Sequence, residues 1–298
     1  MPKQGNAKGR LPSISALIPN LYLHLRPTFD GDSPIISAAS IFLMNDVHIV
    51  PMVTSRPANS SPKLLGQKLQ GAFGGFPLLR KIANTAPRDY YELLWTPSRE
   101  FVVGIGDCKF DDSLDVLLRV FQETNFGYAR VDNKGRSVLI SLEDLVQLMR
   151  KGSLKSDMTA SEAGSQVIHI SPDASIKEAI DMMISHRVRR LFLDGKDSAF
   201  VSDRSIITYM FGGERIYFVR RNPEQWIDAK VTDTNLGAAP TVAATDSISD
   251  VAQVFGVQPD ACLMTDDGKV VSRWDMVMKP WKAGALVSGA AVSNSESS

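Results

Sequence analysis

The chain has 298 residues, 44% hydrophobic and 22% charged, enough to bury a substantial core and long enough for two domains. Lys and Arg together number 33, as do Asp and Glu, so the formal net charge is zero, which excludes a global attraction to nucleic acid or to an anionic membrane and leaves only local patches. Only two cysteines occur, Cys108 and Cys262, each in an apolar stretch, which argues against a disulfide framework and fits a reducing cytoplasm. Residues 1–12 carry Lys3, Lys8 and Arg10 but no apolar core of the kind a secretory signal needs, and they read as a flexible N-terminus. No apolar run reaches the roughly twenty residues that span a bilayer. A soluble, cytoplasmic protein without membrane contact is the expectation.

In chain order, Ser33-Pro34 leads a helix over 35–43, with a strand over 48–52, a polar loop over 56–62, a second strand over 64–69 and a closing helix over 76–83. Gly71-Ala72-Phe73-Gly74-Gly75 is glycine-rich but lacks the Lys-Ser/Thr of a phosphate loop, and its place before a short helix fits a turn. A connecting helix is expected over 89–94. Asp111-Asp112-Ser113 then opens a helix whose Leu114, Leu117, Leu118 and Phe121 share one face. It is followed by a strand over 128–131, a turn over 132–135, a strand over 137–140 and a helix over 142–149. The stretch 151–164, rich in Gly and Ser, is the natural boundary between two halves.

The same order returns most clearly at 171–195, where SPDASIKEAIDMM precedes the basic run of His186, Arg187, Arg189 and Arg190, the apolar Leu191-Phe192-Leu193 and the turn Asp194-Gly195. A second connecting helix is expected at Gln225-Trp226-Ile227. The last copy runs from 246 through a helix over 251–255, strands over 261–264 and 270–271 around the turn 266–269, and a shortened helix over 274–278. A repeat of this length means stacked copies of one unit, and it moves the search for function from a single pocket to the grooves between copies.

The repeated helix, strand and Asp-Gly turn, with Ser-x-x-Asp before two of the closing helices, resembles the CBS domain, named for cystathionine beta-synthase. The resemblance covers about 13–281 and rests on repetition more than on any one motif. It implies an α+β fold of four tandem CBS units, short sheets packed with helices, paired one with two and three with four into two Bateman modules, 13–152 and 153–282. The segment 283–298, small and polar, is expected to be disordered. Such modules bind adenosine-containing ligands between units, with AMP, ADP or ATP expected here ahead of S-adenosylmethionine or a cyclic dinucleotide. They also assemble into discs, within one chain or between the chains of a homodimer.

The resemblance carries ligand roles onto particular residues. Ser141 and Asp144, and Ser272 and Asp275, match the Ser/Thr-x-x-Asp signature, whose carboxylate takes the ribose hydroxyls. A carboxylate suits a ribose diol because it only accepts and two adjacent hydroxyls can donate to it together. The same spacing is also a helix-capping arrangement, and both readings stay open. Ser202 and Ser205 occupy the signature in the third unit, with Ser205 in place of the acid, and the first unit has no equivalent acid. One occupied site per module follows as an expectation. Arg187, Arg189 and Arg190 of the third unit are candidates to face phosphates or to form a solvated basic face, and Arg130 in the second unit and Lys269 in the fourth are lesser candidates for the same role. Thr241-Val242 and Val167-Ile168 are the strand positions where the family contacts adenine, and they serve equally as core.

His24, His48, His169 and His186 have no metal-ligand or catalytic spacing, and no nucleophile and base pair or cofactor loop occurs, so no enzyme is expected and no cofactor is required. Arg215, Arg220, Arg221 and Lys230 alternate with Tyr217, Phe218 and Trp226, an interleaving that fits nucleic acid or an amphipathic linker helix. The leading expectation is a stand-alone regulatory protein that binds an adenosyl ligand and signals through conformation or assembly to a protein partner. The competing expectations are a structural CBS protein without ligand and a nucleic-acid-associated regulator.

Overall fold

Short strands joined by glycine and aspartate turns to helices of seven to eleven residues cannot bury their apolar faces alone, and the chain answers by repeating and stacking them. The computed structural model describes residues 11–18, 28–45, 47, 49–53, 69–133, 136–196, 198–213, 215–222, 224–256 and 261–289. Helix α1 (Ile14–Leu17) precedes a first unit of β1 (Phe29–Asp30), α2 (Ile35–Met44), β2 (Ile49–Val53), β3 (Leu69–Gly74) and α3 (Gly75–Ala83). After α4 (Tyr90–Leu93), the second unit comprises β4 (Gly106–Lys109), α5 (Leu114–Thr124), β5 (Tyr128–Asn133), β6 (Arg136–Ser141) and α6 (Leu142–Arg150).

The second half opens with β7 (Leu154–Lys155), α7 (Ala160–Ala163) and β8 (Ser165–Gln166). The third unit is β9 (His169–Ile170), α8 (Ile176–His186), β10 (Arg190–Leu193), β11 (Ala199–Ser202) and α9 (Asp203–Phe211). Helix α10 (Arg215–Arg221) and β12 (Gly237–Ala238) lead to the fourth unit, β13 (Thr241–Val242), α11 (Ile248–Val254), β14 (Leu263–Thr265), β15 (Lys269–Val271) and α12 (Arg273–Ala283), closed by β16 (Val287–Ser288). In every unit the first strand runs parallel to the second across a helical crossover, and the second and third strands form an antiparallel hairpin.

Several expectations are corrected. The glycine-rich 71–75 is mostly β3, not a turn, and it pairs with β2 along its length. Its small residues let another segment approach, since a Cβ at Gly71 would lie 2.0 Å from Val102 Cγ1, and Ala72 bridges to Val103. The expected strand over 64–68 and the loop over 56–62 lie outside the described residues. The closing helix of the fourth unit is not short: α12 has 11 residues and runs through Pro280. Gln225-Trp226-Ile227 is a turn instead of a helix, because the Trp226 ring is buried edge-on against Tyr90 with centroids 5.0 Å apart. The segment after α12 is paired at its start, with Val287 opposite Lys155 and Ser288 opposite Leu154, where small polar residues predict disorder; 290–298 lie outside the described residues.

The core divides by face. Helical faces of the first and third units share one apolar layer containing Phe42, Leu79, Met183 and Ile207. The second and fourth units share another, with Leu118, Phe121, Leu145, Val251 and Val277. The sheets meet in the other direction: Ile49 and Ala72 of the first unit pack on Tyr128 of the second, and Phe192 and Phe200 of the third on Cys262 and Met264 of the fourth. The linking segments thread both sheets of the second half. Ser165-Gln166 pairs with β15 of the fourth unit before His169-Ile170 joins the third, and Gly237-Ala238 pairs with β11 of the third before Thr241-Val242 joins the fourth.

Truncating either helical layer should be costly. Phe42→Ala is expected to lose about 3–5 kcal/mol and Leu118→Ala about 2–5 kcal/mol, read from urea unfolding. The start of α8 supplies a pH effect. The Glu178 carboxylate accepts from Ser175 N at 2.6 Å and Ser175 Oγ at 3.0 Å, which holds its pKa below the ordinary 4.5. Stability from this contact is present above that value and lost as pH falls through the lower folded value. In acid titrations of stability, Glu178→Gln should therefore show a shallower loss than the wild-type chain below pH 4.5.

Candidate functional site

Each hairpin ends at the start of its unit's closing helix, where unpaired backbone N-H groups need acceptors. In α6 and α12 the requirement is met by a reciprocal box. Ser141 N and Oγ donate to Asp144 Oδ2 at 2.7 and 2.6 Å, and Asp144 N returns to Ser141 Oγ at 3.4 Å. Ser272 N and Oγ donate to Asp275 Oδ2 at 2.9 and 2.6 Å, with Asp275 N to Ser272 Oγ at 3.5 Å. Both carboxylates are buried, 3% and 5% exposed, and each sits at a positive helix end. The capping reading is therefore realised at both signatures, and it engages one carboxylate oxygen, Oδ2, in each.

The second oxygen of Asp275 faces the neighbouring linker. Ser165 Oγ donates to Oδ1 at 2.8 Å, and Lys279 Nζ lies 3.4 Å from the same atom. Lys279 also donates to Gly164 O at 2.6 Å and Ser165 Oγ at 2.9 Å. Strand β8 reaches this point because Ser165 stands opposite Val270 on β15, two residues before Ser272. The result is a carboxylate, a hydroxyl and an ammonium gathered where the segment entering the third unit crosses the fourth. Lys279, one helical turn after Asp275, is legible from the four-residue spacing; Ser165, 110 positions away, is not.

The third and first units are built differently. Ser202 and Ser205 form a box of two hydroxyls, 2.9 Å apart, with Ser205 N donating to Ser202 Oγ at 3.0 Å. On the same strand the Phe200 ring lies over Gly237, its partner across β11 and β12, where a Cβ would come within 2.3 Å of the ring. The first unit's α3 has no side-chain cap, and Asp203 of the third unit sits at its start, where a Cβ on Gly75 would meet Asp203 Oδ2 at 2.6 Å.

The candidate phosphate ligands are committed elsewhere. Arg189 donates through Nε to the buried Asp203 at 2.8 Å, and Arg190 donates to Ala261 O at 3.2 Å. Arg130 forms a two-pronged contact with Asp107 at 2.5 and 2.6 Å, and Lys269 donates to Ser161 O and Oγ at 2.8 Å. Arg187 is exposed in a left-handed conformation at the end of α8. Thr241 and Val242 line a depression of about 460 Å³ with Asp246, Asp250 and Val254, and neither Ser272 nor Asp275 lines it. Val167 and Ile168, expected as strand positions, lie in the extended link between β8 and β9, where Val167 packs into the contact between sheets and Ile168 against the helical layer. Tyr217 is exposed on α10 while Trp226 is buried, and Arg215, Arg221 and Glu224 are all exposed. His24 and His48 lie outside the described residues, and no cluster suited to a metal occurs among the described ones. No helix among the described residues is long and apolar enough to cross a membrane.

Two further residues, unremarked in the sequence, connect the signatures. Arg273 Nε pairs with Glu143 Oε2 across the contact between α12 and α6. Arg273 is 6% exposed, with its guanidinium 5.0 Å from the Phe255 ring centroid and donating to Gly256 O at 3.1 Å. Burial pushes its pKa down, Glu143 opposes that shift, and Arg190 of the third unit adds to it.

Compared with known proteins, residues 157–212 match the CBS domain family model. No curated protein matches the chain. Among solved structures, protein MJ1225 from Methanocaldococcus jannaschii, described as a proposed archaeal homolog of g-AMPK, superposes with a TM-score of 0.71 at 16% identity, covering 89% of this chain and 99% of that one. Two shorter matches span about half of this chain. CBS domain protein PAE2072 from Pyrobaculum aerophilum, complexed with AMP, has a TM-score of 0.32 at 17% identity and covers 45% of this chain and 89% of its own. The CBS domain of a bacterial CNNM/CorC family Mg2+ transporter, in complex with ATP, has 0.35 at 9%, covering 46% and 85%. Independently of any ligand, the cap predicts that Ser272→Ala lowers stability by about 0.5–2 kcal/mol in urea unfolding.

Proposed function

We propose that this chain, which carries a CBS domain at 157–212 within a tandem-CBS fold, is a regulatory protein that takes an adenosyl ligand beside Asp275 in the seam between the third and fourth units. The observation that carries this reading is the division of the Asp275 carboxylate, one oxygen in the cap and the other turned toward Ser165 and Lys279. A ribose diol can replace the Ser165 hydroxyl as donor to Oδ1 without disturbing the cap. Lys279, released from Asp275, then has a phosphate as its natural partner. Because the ligand must displace Ser165, binding moves the linker that joins the two units. That displacement is a differential contact of the kind a conformational signal requires.

A structural or interaction role without ligand is the second reading, and the hydroxyl of Ser205 in place of the signature acid favours it for the third unit. The two separate by titration. AMP, ADP, ATP, S-adenosylmethionine and cyclic dinucleotides are tested by calorimetry and thermal shift on the full chain. At least one is expected to raise Tm, with stabilisation of about 2.7 kcal/mol at a hundredfold excess over Kd. Asp275→Ala should weaken that ligand by about tenfold or more, the size of a lost charged hydrogen bond. Absence of stabilisation by any of them at millimolar concentration would leave the structural reading.

A further inference from the structure

We infer that the Arg273–Glu143 contact couples the starts of α6 and α12, so that a change at the Asp275 carboxylate is transmitted to the Ser141–Asp144 box of the second unit. This deepens the proposed regulatory reading and rests on it for its biological use, although the coupling itself is a property of the ligand-free chain. Arg273 immediately follows Ser272 and shares the first helical turn with Asp275. Glu143 immediately precedes Asp144 in the first turn of α6. The residues that join the two helices thus lie inside the two Ser-x-x-Asp signatures.

Neither partner is free to drift. Arg273 is held by the Phe255 ring and Gly256 O at the end of α11, and the second oxygen of Glu143 accepts from Gln147 Nε2 at 3.1 Å. A buried guanidinium separated from its carboxylate is strongly disfavoured, and Arg190 nearby makes the separation worse. A shift of the α12 first turn, such as release of Asp275 Oδ1 from Ser165 and Lys279 would allow, must therefore be followed by Glu143. Glu143 takes Asp144 and its cap with it.

The third unit meets the first by other means. The residue after its serine is Asp203, which pairs with Arg189 of its own unit and lies beside Gly75 at the start of α3, and Arg204 donates to the carbonyls of Phe42, Leu43 and Val47. The second and fourth units are the ones that retain the signature acids, and the pair that joins them, Arg273 and Glu143, stands next to or within one turn of those acids.

Amide hydrogen exchange on the full ligand-free chain tests the coupling without any nucleotide, so its outcome is separate from whether an adenosyl ligand binds. Ser272→Ala with Asp275→Asn is expected to speed exchange in the first turn of α6 at least tenfold while leaving the first turn of α3 unchanged. In a background of Glu143→Gln and Arg273→Met, the same pair of substitutions should leave α6 exchange within twofold of that background. Should the combined variant not fold, Ser272→Ala alone is read in both backgrounds. Unchanged α6 exchange on perturbing Ser272 and Asp275 would overturn the inference, as would equal acceleration with and without the Arg273–Glu143 pair.

Discussion

A unit of three short strands and two helices has apolar groups on both faces, and the remaining architecture follows from the need to cover them. Helices of the first unit are covered by those of the third, and helices of the second by those of the fourth. The sheets are covered along the other direction, first against second and third against fourth. Every unit thereby depends on two others. The linkers inherit the constraint: Ser165-Gln166 and Gly237-Ala238 each pair with a sheet to which the following residues do not belong.

This arrangement brings the closing helices together with their positive ends buried, and the chain satisfies those ends in distinct ways. Two use a serine and an aspartate, one uses two serines, and at the fourth, α3, the Asp203 carboxylate of another unit lies close to Gly75. Capping and ligand binding are therefore compatible uses of one residue. A carboxylate has two oxygens, and at Asp275 they point to different partners, so stabilising the helix leaves the second oxygen for the seam. The same economy brings the helix starts within reach of one another, and Arg273 meets Glu143 there.

Much of the fold is legible in the residues. Leu114, Leu117, Leu118 and Phe121 fall on one face of α5 and are buried on it, and Leu191-Phe192-Leu193 forms the apolar strand its composition suggests. The misses share a cause. Gly71 to Gly74 reads as a turn because glycine usually marks one, yet here small residues are needed for the approach of Val102. The basic run at Arg189 and Arg190 left a phosphate-facing and a solvated role open, and the partners these side chains take here, Asp203 and the carbonyl of Ala261, are not local to the run. Trp226 ends a would-be helix because its ring is drawn against Tyr90 from another part of the chain.

By itself the sequence determined the repeat, the α+β character, the two boxed helix starts and the absence of an acid at Ser205, since these rest on apolar periods and on contacts within four residues. The tertiary structure decided which oxygen of Asp275 is in use, that Ser165 and Lys279 attend the other, that Phe200 lies over Gly237 and that Arg273 joins Glu143. Those contacts link residues as far as 130 positions apart. They arise from burying helical faces of one pair of units and sheet faces of another, a geometry that no local spacing encodes.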